Sequence, residues 1–275
     1  MKSYLFTTLA FLTTFSVTQS LQARPCDNRD YQGTYSVIGT GGVNFGSPLD
    51  GPFARAGRAV GDGAGNALAA TTASYNGYIF AEPYSGTYIV SPDCTIRFDM
   101  LIPVPGGITL PVVLKGVISD NGNEVPIMLA SPQGVSIQIV LRRQTKNKPS
   151  CSVRDLQGGF ALDMTGTTNL PAPAGGPFTR VGPVVFDGKG AFTAATLASY
   201  NGGIVTEDLT GSYTVTPECD LQMHYTYGQT YTWSGTLSDN STGATLILTE
   251  PNLAAVVTGK LKQVSNNTDG LQNFR

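Results

Sequence analysis

Apolar and polar residues alternate over short segments of this chain, a pattern typical of β-strands that bury one face. Ile96, Phe98 and Met100, for example, are separated by polar neighbours. Asp62-Gly63 and Asn76-Gly77 are hairpin signals, because two-residue turns favour positive φ at both central positions. The pattern predicts strands over residues 55–61, 67–75, 78–81, 86–91, 95–101, 112–118, 125–130 and 135–142.

With the run that follows Gly33, these segments make about eight or nine strands, and no amphipathic helix interrupts them. A consecutive antiparallel meander of this kind closes most simply into an up-and-down barrel, because closure removes the unpaired edges. An open β-sandwich is the alternative. A small barrel either fills with side chains or holds one small apolar ligand.

The whole pattern occurs twice. Gly51–Cys94 recurs as Gly176–Cys219 without insertion or deletion, and the match extends back to Cys26 and Cys151. The chain is therefore predicted to be all-β, with two tandem antiparallel β-barrel modules. We expect repeat 1 over residues 24–144, a polar linker over 145–150, repeat 2 over 151–264 and a flexible tail over 265–275.

The first 23 residues have the features of a secretory signal peptide. Lys2 provides a positive start, residues 4–17 are apolar, and residues 21–23 form a plausible cleavage site that ends at Ala23. A buried N-terminal helix is the alternative interpretation. We expect the mature protein to begin near Arg24 and to be secreted or to lie in the lumen of the secretory pathway.

Composition and charge exclude several partners. Only 13% of the residues are charged, and the net charge is −2. No basic run is present, so a nucleic-acid partner is not expected, and no polybasic segment indicates attraction to a membrane surface. After the leader, no stretch approaches the ~18 to 20 apolar residues that a membrane-spanning helix needs.

The four cysteines are Cys26, Cys94, Cys151 and Cys219. An even number behind a signal peptide indicates disulfides. Three pairings are possible, and repeat symmetry favours one bridge inside each repeat, Cys26–Cys94 and Cys151–Cys219. A zinc site is the alternative, but the sequence has neither CxxC spacing nor a set of histidines, so no metal site is expected.

Familiar catalytic motifs are missing from the sequence. His224 is the single histidine, which precludes a histidine-based triad in each repeat. Glu82 and Glu207 recur at equivalent positions, so a glycosidase-like carboxylate pair is a further alternative. Other residues that occur in both copies are assigned to the fold: Arg55/Arg180, Asp62/Asp187, Tyr75/Tyr200 and Tyr88/Tyr213.

Candidate site residues come from the stretch in which the two repeats differ most. Strand alternation places Met223, Tyr225 and Tyr227 on one face, and it places Tyr231, Trp233 and Leu237 on the facing side of the next strand. Their counterparts in repeat 1 include Met100, Val112, Leu114 and Ile118. Repeat 2 is therefore predicted to contain an aromatic pocket, with Tyr225, Tyr227 and Trp233 as catalytic candidates and Tyr231, Met223 and Leu237 as substrate-binding candidates. The alternative is that these rings only fill a core or a module interface, and His224 should point away from the pocket.

Several motifs carry a family resemblance. An N-terminal Cys, GPFxRxG, DGxG, SYNG and a Pro-acid-Cys segment occur in two copies behind a leader. In this the chain resembles the secreted calycin-like proteins of filamentous fungi, and within them the hetero-Diels–Alderases of tropolonic sesquiterpenoid biosynthesis. Those enzymes join a tropolone-derived quinone methide to a humulene-type olefin. The resemblance implies a small hydrophobic terpenoid- or polyketide-derived substrate and no cofactor.

Three functions remain open at this point. The first is a cofactor-free pericyclase with an aromatic pocket, and the second is a secreted, lipocalin-like carrier of small hydrophobic molecules. The third is an extracellular structural or interaction protein without a ligand pocket. All three agree with the absence of an acid–base or metal motif, because a pericyclic step needs neither an external base nor a proton donor.

Two N-glycosylation sequons, Asn240-Ser-Thr and Asn266-Asn-Thr, are expected to be modified in a secreted protein. Asn240 follows a predicted strand and Asn266 lies in the polar tail, so both should be accessible. Peptide mass mapping of protein from a fungal host should find glycan on both asparagines. Unmodified masses at both sites would contradict the prediction.

Overall fold

The computed structural model describes residues 24–44, 46–104, 106–144, 150–238 and 241–265. These residues form sixteen strands, and short 3₁₀ turns occur at Asn28–Tyr31, Asp120–Gly122 and Val153–Asp155. The strands are β1 Gln32–Val43, β2 Gly51–Asp62, β3 Asn66–Tyr75, β4 Tyr78–Val90, β5 Thr95–Val104, β6 Ile108–Val117, β7 Glu124–Ser131, β8 Val135–Arg143, β9 Gln157–Thr168, β10 Gly176–Asp187, β11 Ala191–Tyr200, β12 Gly203–Val215, β13 Asp220–Tyr227, β14 Gln229–Ser238, β15 Gly243–Glu250 and β16 Ala255–Ser265.

The strands form two closed barrels of eight antiparallel strands each. β1 pairs with both β2 and β8 in barrel 1, and β9 pairs with both β10 and β16 in barrel 2. The prediction of two tandem antiparallel barrels is confirmed, and the open sandwich is excluded. Closure leaves no free sheet edge, and each barrel buries its own apolar core.

β4 differs from the prediction, because it is one strand over Tyr78–Val90 where two short runs were expected. The predicted runs 78–81 and 86–91 leave out residues 82–85, among which Pro83 cannot donate to a ladder. The β4–β5 ladder begins only at Ser85, so Pro83 lies where β4 has no partner on that side. A proline can therefore be accommodated there.

Disulfides join Cys26 to Cys94 and Cys151 to Cys219, as repeat symmetry predicted. Each bridge ties the segment before the first strand of its barrel to the turn after the fourth strand. We call this end of each barrel the lower end. The opposite end, which carries the SYNG hairpins 75–78 and 200–203, is the upper end.

The two barrels pack side by side. Ala54 and Ala56 on the outer face of β2 are buried against Ile247 and Val256 of β15 and β16. The small alanine side chains allow the two sheets to approach closely. The interface is therefore dry and apolar at its centre.

Several predictions lie outside the described residues: the signal peptide, most of the linker, Asn240, Asn266 and nearly all of the tail. These, and the domain boundaries, stay predictions. Among the helices of the described residues, none is long and apolar enough to cross a membrane.

Removal of one disulfide should destabilise its own barrel. Each bridge joins cysteines 68 positions apart, and closing a loop of that size is worth about 4 kcal/mol in the chain-entropy account. Cys26→Ala with Cys94→Ala should therefore lower the free energy of unfolding of barrel 1 by about this amount in a urea titration. Cys151→Ala with Cys219→Ala is the matched variant for barrel 2. A double variant as stable as the parent would contradict the prediction.

Candidate functional site

A buried ion pair lies inside each barrel. In barrel 2 an Nη2 atom of Arg180 on β10 is 2.8 Å from a carboxylate oxygen of Glu207 on β12. Arg55 and Glu82 make the equivalent pair in barrel 1. All four side chains are at most 4% exposed. A charge buried this deeply needs a partner, since desolvation costs several kcal/mol per ion.

Tyr200 completes this arrangement in barrel 2. Its hydroxyl donates to Glu207 at 2.9 Å and accepts from Arg180 Nη2 at 3.0 Å. Burial opposes the charge of Arg180, but the oxygens of Tyr225, Glu207 and Tyr200 raise its pKa overall, so the guanidinium stays cationic. Burial, with a contribution from Glu207, likewise raises the pKa of Tyr200 well above its ordinary value.

Tyr225 of β13 is a further partner of Arg180; in barrel 1 the second tyrosine beside the arginine is Tyr84, which comes from β4 instead. The hydroxyl oxygen of Tyr225 accepts from Arg180 Nη1 at 2.7 Å. Met100 occupies the corresponding position in barrel 1. Met100 pairs with Gly86 in its ladder, and Tyr225 pairs with the equivalent glycine, Gly211. Burial raises the pKa of Tyr225 more than Arg180 lowers it, so the hydroxyl keeps its proton. That proton is free to be donated, because the described residues offer it no acceptor.

Trp233 of β14 lies beside Tyr225. The side chain is 2% exposed, and its indole N–H makes no hydrogen bond of normal geometry with the described residues. The N–H points towards the Tyr225 oxygen, and this weak hydrogen bond lowers the pKa of that hydroxyl, although its geometry falls short of a normal hydrogen bond. A β-bulge between Thr232 and Trp233 changes the register with β15 at this point. A buried, unpaired N–H costs about 1–3 kcal/mol, a penalty that a ligand oxygen could relieve.

Tyr231 covers the site from above. Its ring stacks on that of Tyr225, with centroids 5.1 Å apart and an interplanar angle of 20°. The two rings and Trp233 line a small cavity of about 30 Å³ inside barrel 2. The remaining lining residues are Thr168, Leu170, Phe178, Arg180, Tyr200, Leu248, Ala254, Ala255 and Val257.

The structure brings Tyr225, Tyr231 and Trp233 of the predicted set together around the cavity, whereas the other three do not line it. Met223 and Leu237 are buried in the core of barrel 2 and do not line the cavity. Tyr227 ends β13 and is 44% exposed. The roles proposed for all six residues stay predictions.

His224 lies on the outer face of β13, where its Nδ1 is 3.1 Å from Thr232 Oγ1. Thr232 in turn donates to Glu250 at 2.7 Å. The histidine is absent from the cavity lining, in agreement with strand alternation.

From the sequence, Arg180 and Tyr200 were assigned a structural role. Glu207 was considered only as one member of a glycosidase-like carboxylate pair. The signal that marks them is their recurrence in the repeat, together with the rarity of charged residues at inward-facing positions. In barrel 1 the guanidinium of Arg55 lies over the rings of Phe53 and Tyr84, and aliphatic residues such as Ile102 and Val112 line the space beside it. In barrel 2 the trio of Arg180, Tyr200 and Glu207 also contacts the residues that differ between the repeats.

Two larger clefts, of about 420 and 540 Å³, lie between the barrels. Polar and charged side chains contribute much of their lining, including Arg58 and Glu218 in one cleft and Arg142 and Lys260 in the other. No aromatic residue lines either cleft. Among the described residues, no group of three or more His, Cys, Asp or Glu side chains could hold a metal ion.

The fold and the site define a class: a two-barrel protein that has one disulfide inside each barrel and an aromatic pocket in barrel 2. No family model and no curated protein matches the sequence. Among solved structures, isotype 1 transferrin binding protein B from serogroup B Neisseria meningitidis is similar with a TM-score of 0.30 and 9% identity, over 88% of this chain and 77% of that chain.

Two further structures are similar at the same level. The protein named CghA has a TM-score of 0.27 and 9% identity, over 88% of this chain and 93% of that one. A protein of unknown function from the DUF3598 family of Nostoc punctiforme also has a TM-score of 0.27 and 9% identity, over 87% and 99% of the two chains. Similarities this low assign the chain to no family.

Breaking the buried pair in barrel 2 should be costly. Arg180→Met leaves Glu207 without its cation, so we expect the free energy of unfolding of barrel 2 to fall by roughly 3–5 kcal/mol. Adding Glu207→Gln should restore part of this loss, because the uncompensated charge is then removed. Urea titration measures both values. Arg58→Met, at a partly exposed arginine between the barrels, is the control and should cost less than about 1 kcal/mol. An Arg180→Met variant no less stable than this control would contradict the analysis.

Proposed function

We propose that the chain is a cofactor-free hetero-Diels–Alder pericyclase that acts at the upper mouth of barrel 2. The substrate pair is a tropolone-derived quinone methide and a humulene-type sesquiterpene, which the resemblance implies. The observation that carries the proposal is a pair of buried donors at an aromatic cavity, Tyr225 O–H and Trp233 N–H, neither of which donates a hydrogen bond of normal geometry to a described residue.

The reaction suits such a site. The C=C–C=O unit of the quinone methide adds across a C=C bond of the olefin, and one C–C and one C–O bond form while the π-bonds shift. No proton, electron or leaving group is transferred. Negative charge grows on the carbonyl oxygen in the transition state, and donors aimed at that oxygen lower the barrier by roughly 2.7–4 kcal/mol for each good hydrogen bond.

Arg180 strengthens the donor. Because the Tyr225 oxygen accepts from a cation at 2.7 Å, its own O–H is polarised towards the ligand. Glu207 and Tyr200 fix the position of Arg180 and balance its charge, so the site gains a polarised donor without a net charge. A neutral, conjugated carbonyl compound fits this environment better than a carboxylate does.

The rings orient the reactants. The closed cavity is only about 30 Å³, so the planar quinone methide would sit at the mouth against Tyr231 with its oxygen directed inwards. One face of the ring then remains open to the olefin. Holding two reactants in this way replaces a bimolecular encounter, an effect worth up to ~7–11 kcal/mol in well-oriented systems.

A carrier of small hydrophobic molecules is the second candidate function. The aromatic and aliphatic lining of the cavity is the observation that favours it, because such a lining binds an apolar ligand without requiring any chemistry. A carrier would bind the quinone methide or a related tropolone without accelerating the addition. Binding and rate therefore need separate measurements.

Substitution of the two donors tests the proposal. Tyr225→Phe should lower the rate of cycloaddition roughly ten- to a thousand-fold, because it removes the hydrogen bond to the developing charge. Trp233→Ala should abolish most of the rate and of the enantiomeric excess, since it removes both a donor and a wall of the cavity. The assay measures product formed from a generated quinone methide and humulene, with and without enzyme.

Tyr84→Phe is the matched control, because Tyr84 lies over the other buried arginine, Arg55, in barrel 1. This variant should keep full activity. Racemic product at the background rate with wild-type protein, together with calorimetric binding of tropolone, would favour the carrier. Full activity in Tyr225→Phe and Trp233→Ala would move the reaction away from barrel 2. Tyr227→Phe in the same assay tests the remaining catalytic candidate.

A further inference from the structure

Charge is distributed very unevenly between the two ends of the molecule. In the described part of the chain, Asp50 is the one charged residue in the connections between strands at the upper end. These connections comprise residues 44–50, 76–77, 105–107, 132–134, 169–175, 201–202, 228 and 251–254. The neighbouring strand ends add exposed Glu250 and the two buried ion pairs.

The connections between strands at the lower end, in contrast, are rich in charged residues. They carry both signs of charge along both barrels, in the 3₁₀ turns, beside the disulfides and in the hairpins. The charged residues described there are Arg24, Asp27, Arg29, Asp30, Asp93, Asp120, Arg154, Asp155, Lys189 and Glu218.

Large apolar side chains are exposed at both ends of the barrels (Leu68, Ile89, Val117 and Val264 lie near the lower end), but only at the upper end do they lie among nearly uncharged connections. Ile108 begins β6, Ile204 follows the second SYNG hairpin, Tyr227 ends β13, and Leu253 lies between β15 and β16. Ile204 is 64% exposed and Ile108 is 58% exposed. We call these four residues the rim. Ile108 belongs to barrel 1 and the other three to barrel 2, and Ala254 beside Leu253 lines the cavity of barrel 2.

Hydrogen bonds between the barrels hold the rim as one surface. The backbone N–H of Leu253 donates to the carbonyl of Gly77 at 3.0 Å, and the Asn169 side chain donates to Asn76 at 3.4 Å. At the lower end Arg58 donates to the carbonyl of Glu218 at 3.0 Å. Both barrels therefore open in the same direction, and their mouths lie side by side.

We propose that the rim docks on a neutral lipid–water interface, such as the surface of a zwitterionic bilayer, and that the barrel mouths face that surface. Isoleucine and leucine side chains gain free energy by entering the acyl boundary, and tyrosine prefers the headgroup level. The nearly uncharged connections lose little hydration on docking. The sequence has no polybasic segment, so the contact does not depend on anionic lipid.

A protein partner is the competing occupant of such a surface. Protein interfaces concentrate their binding energy in a central cluster of anchors, usually aromatic residues or arginine. Only one of the four rim residues, Tyr227, is aromatic, and the four lie in or beside four different connections of the two barrels rather than in one cluster. That distribution suits a fluid surface better than a shaped one. The proposal goes beyond the cycloaddition, because docking would provide access to apolar molecules dissolved in lipid.

Co-flotation of the protein with phosphatidylcholine vesicles tests the proposal, and no ligand or substrate is needed. The wild-type protein should float with the vesicles, and replacing a fifth of the lipid with phosphatidylserine should not increase the bound fraction. Ile204→Asp and Ile108→Asp should each reduce partitioning by at least roughly tenfold, because a carboxylate resists transfer into the acyl boundary. Ile89→Asp is the matched control, since Ile89 is also 64% exposed but lies near the lower end of β4.

The outcomes separate the alternatives. Loss of flotation in both rim variants, with the control unchanged, supports the lipid surface. No flotation of the wild type, flotation only with anionic vesicles, or an equal loss in Ile89→Asp would overturn it. Wild-type protein that sediments as a dimer, with monomeric Ile204→Asp, would assign the rim to a second copy of the chain. Since cycloaddition is assayed without vesicles, failure of one proposal leaves the other standing.

Discussion

The buried arginine–glutamate pair is the constraint around which each barrel interior is arranged. The interior of a closed barrel is largely shielded from water, so a guanidinium inside it needs a balancing charge and hydrogen-bond acceptors; the Nη atoms of Arg180 have both, while its Nε has no partner among the described residues. Glu207 supplies the charge for Arg180, and the hydroxyls of Tyr200 and Tyr225 take up further donors. The position of each ring in barrel 2 follows from this geometry. The polar centre is neutral overall, which allows the remainder of the lumen to be apolar.

Duplication allowed the two copies of this arrangement to diverge. Both barrels keep the ion pair, the tyrosine that donates to the glutamate, and the disulfide. They differ mainly where β13 and β14 contribute to the lining, since Tyr225 and Trp233 stand where barrel 1 has Met100 and Leu114. At these two positions barrel 1 has aliphatic or thioether side chains, whereas barrel 2 has side chains with hydrogen-bond donors. One frame therefore supports a stable module and a module with a candidate site.

The fold could be predicted because its signals are local. Period-two alternation marked the strands, Asn-Gly and Asp-Gly marked the hairpins, and the repeat fixed the disulfide pairing. The ion pair could not be predicted, because it joins Arg180 and Glu207 across an intervening strand and nothing in the alternation specifies such a contact. Alternation placed Tyr225 and Tyr227 on one face. Tyr227 nevertheless lies at the exposed end of β13, whereas Tyr225 lies deeper in the barrel. This difference depends on where β13 ends, which only the three-dimensional structure gives.

Trp233 is the one tryptophan of the sequence, and it lies in the lining of barrel 2 next to a tyrosine held by a cation. Indole emission from this protein therefore has a single, known origin. A change in its wavelength or intensity reports water or an aromatic molecule reaching that lining, while barrel 1 contributes no signal. The molecule carries a built-in optical label on one of its two otherwise matching halves, so events in the two barrels can be distinguished without a chemical probe.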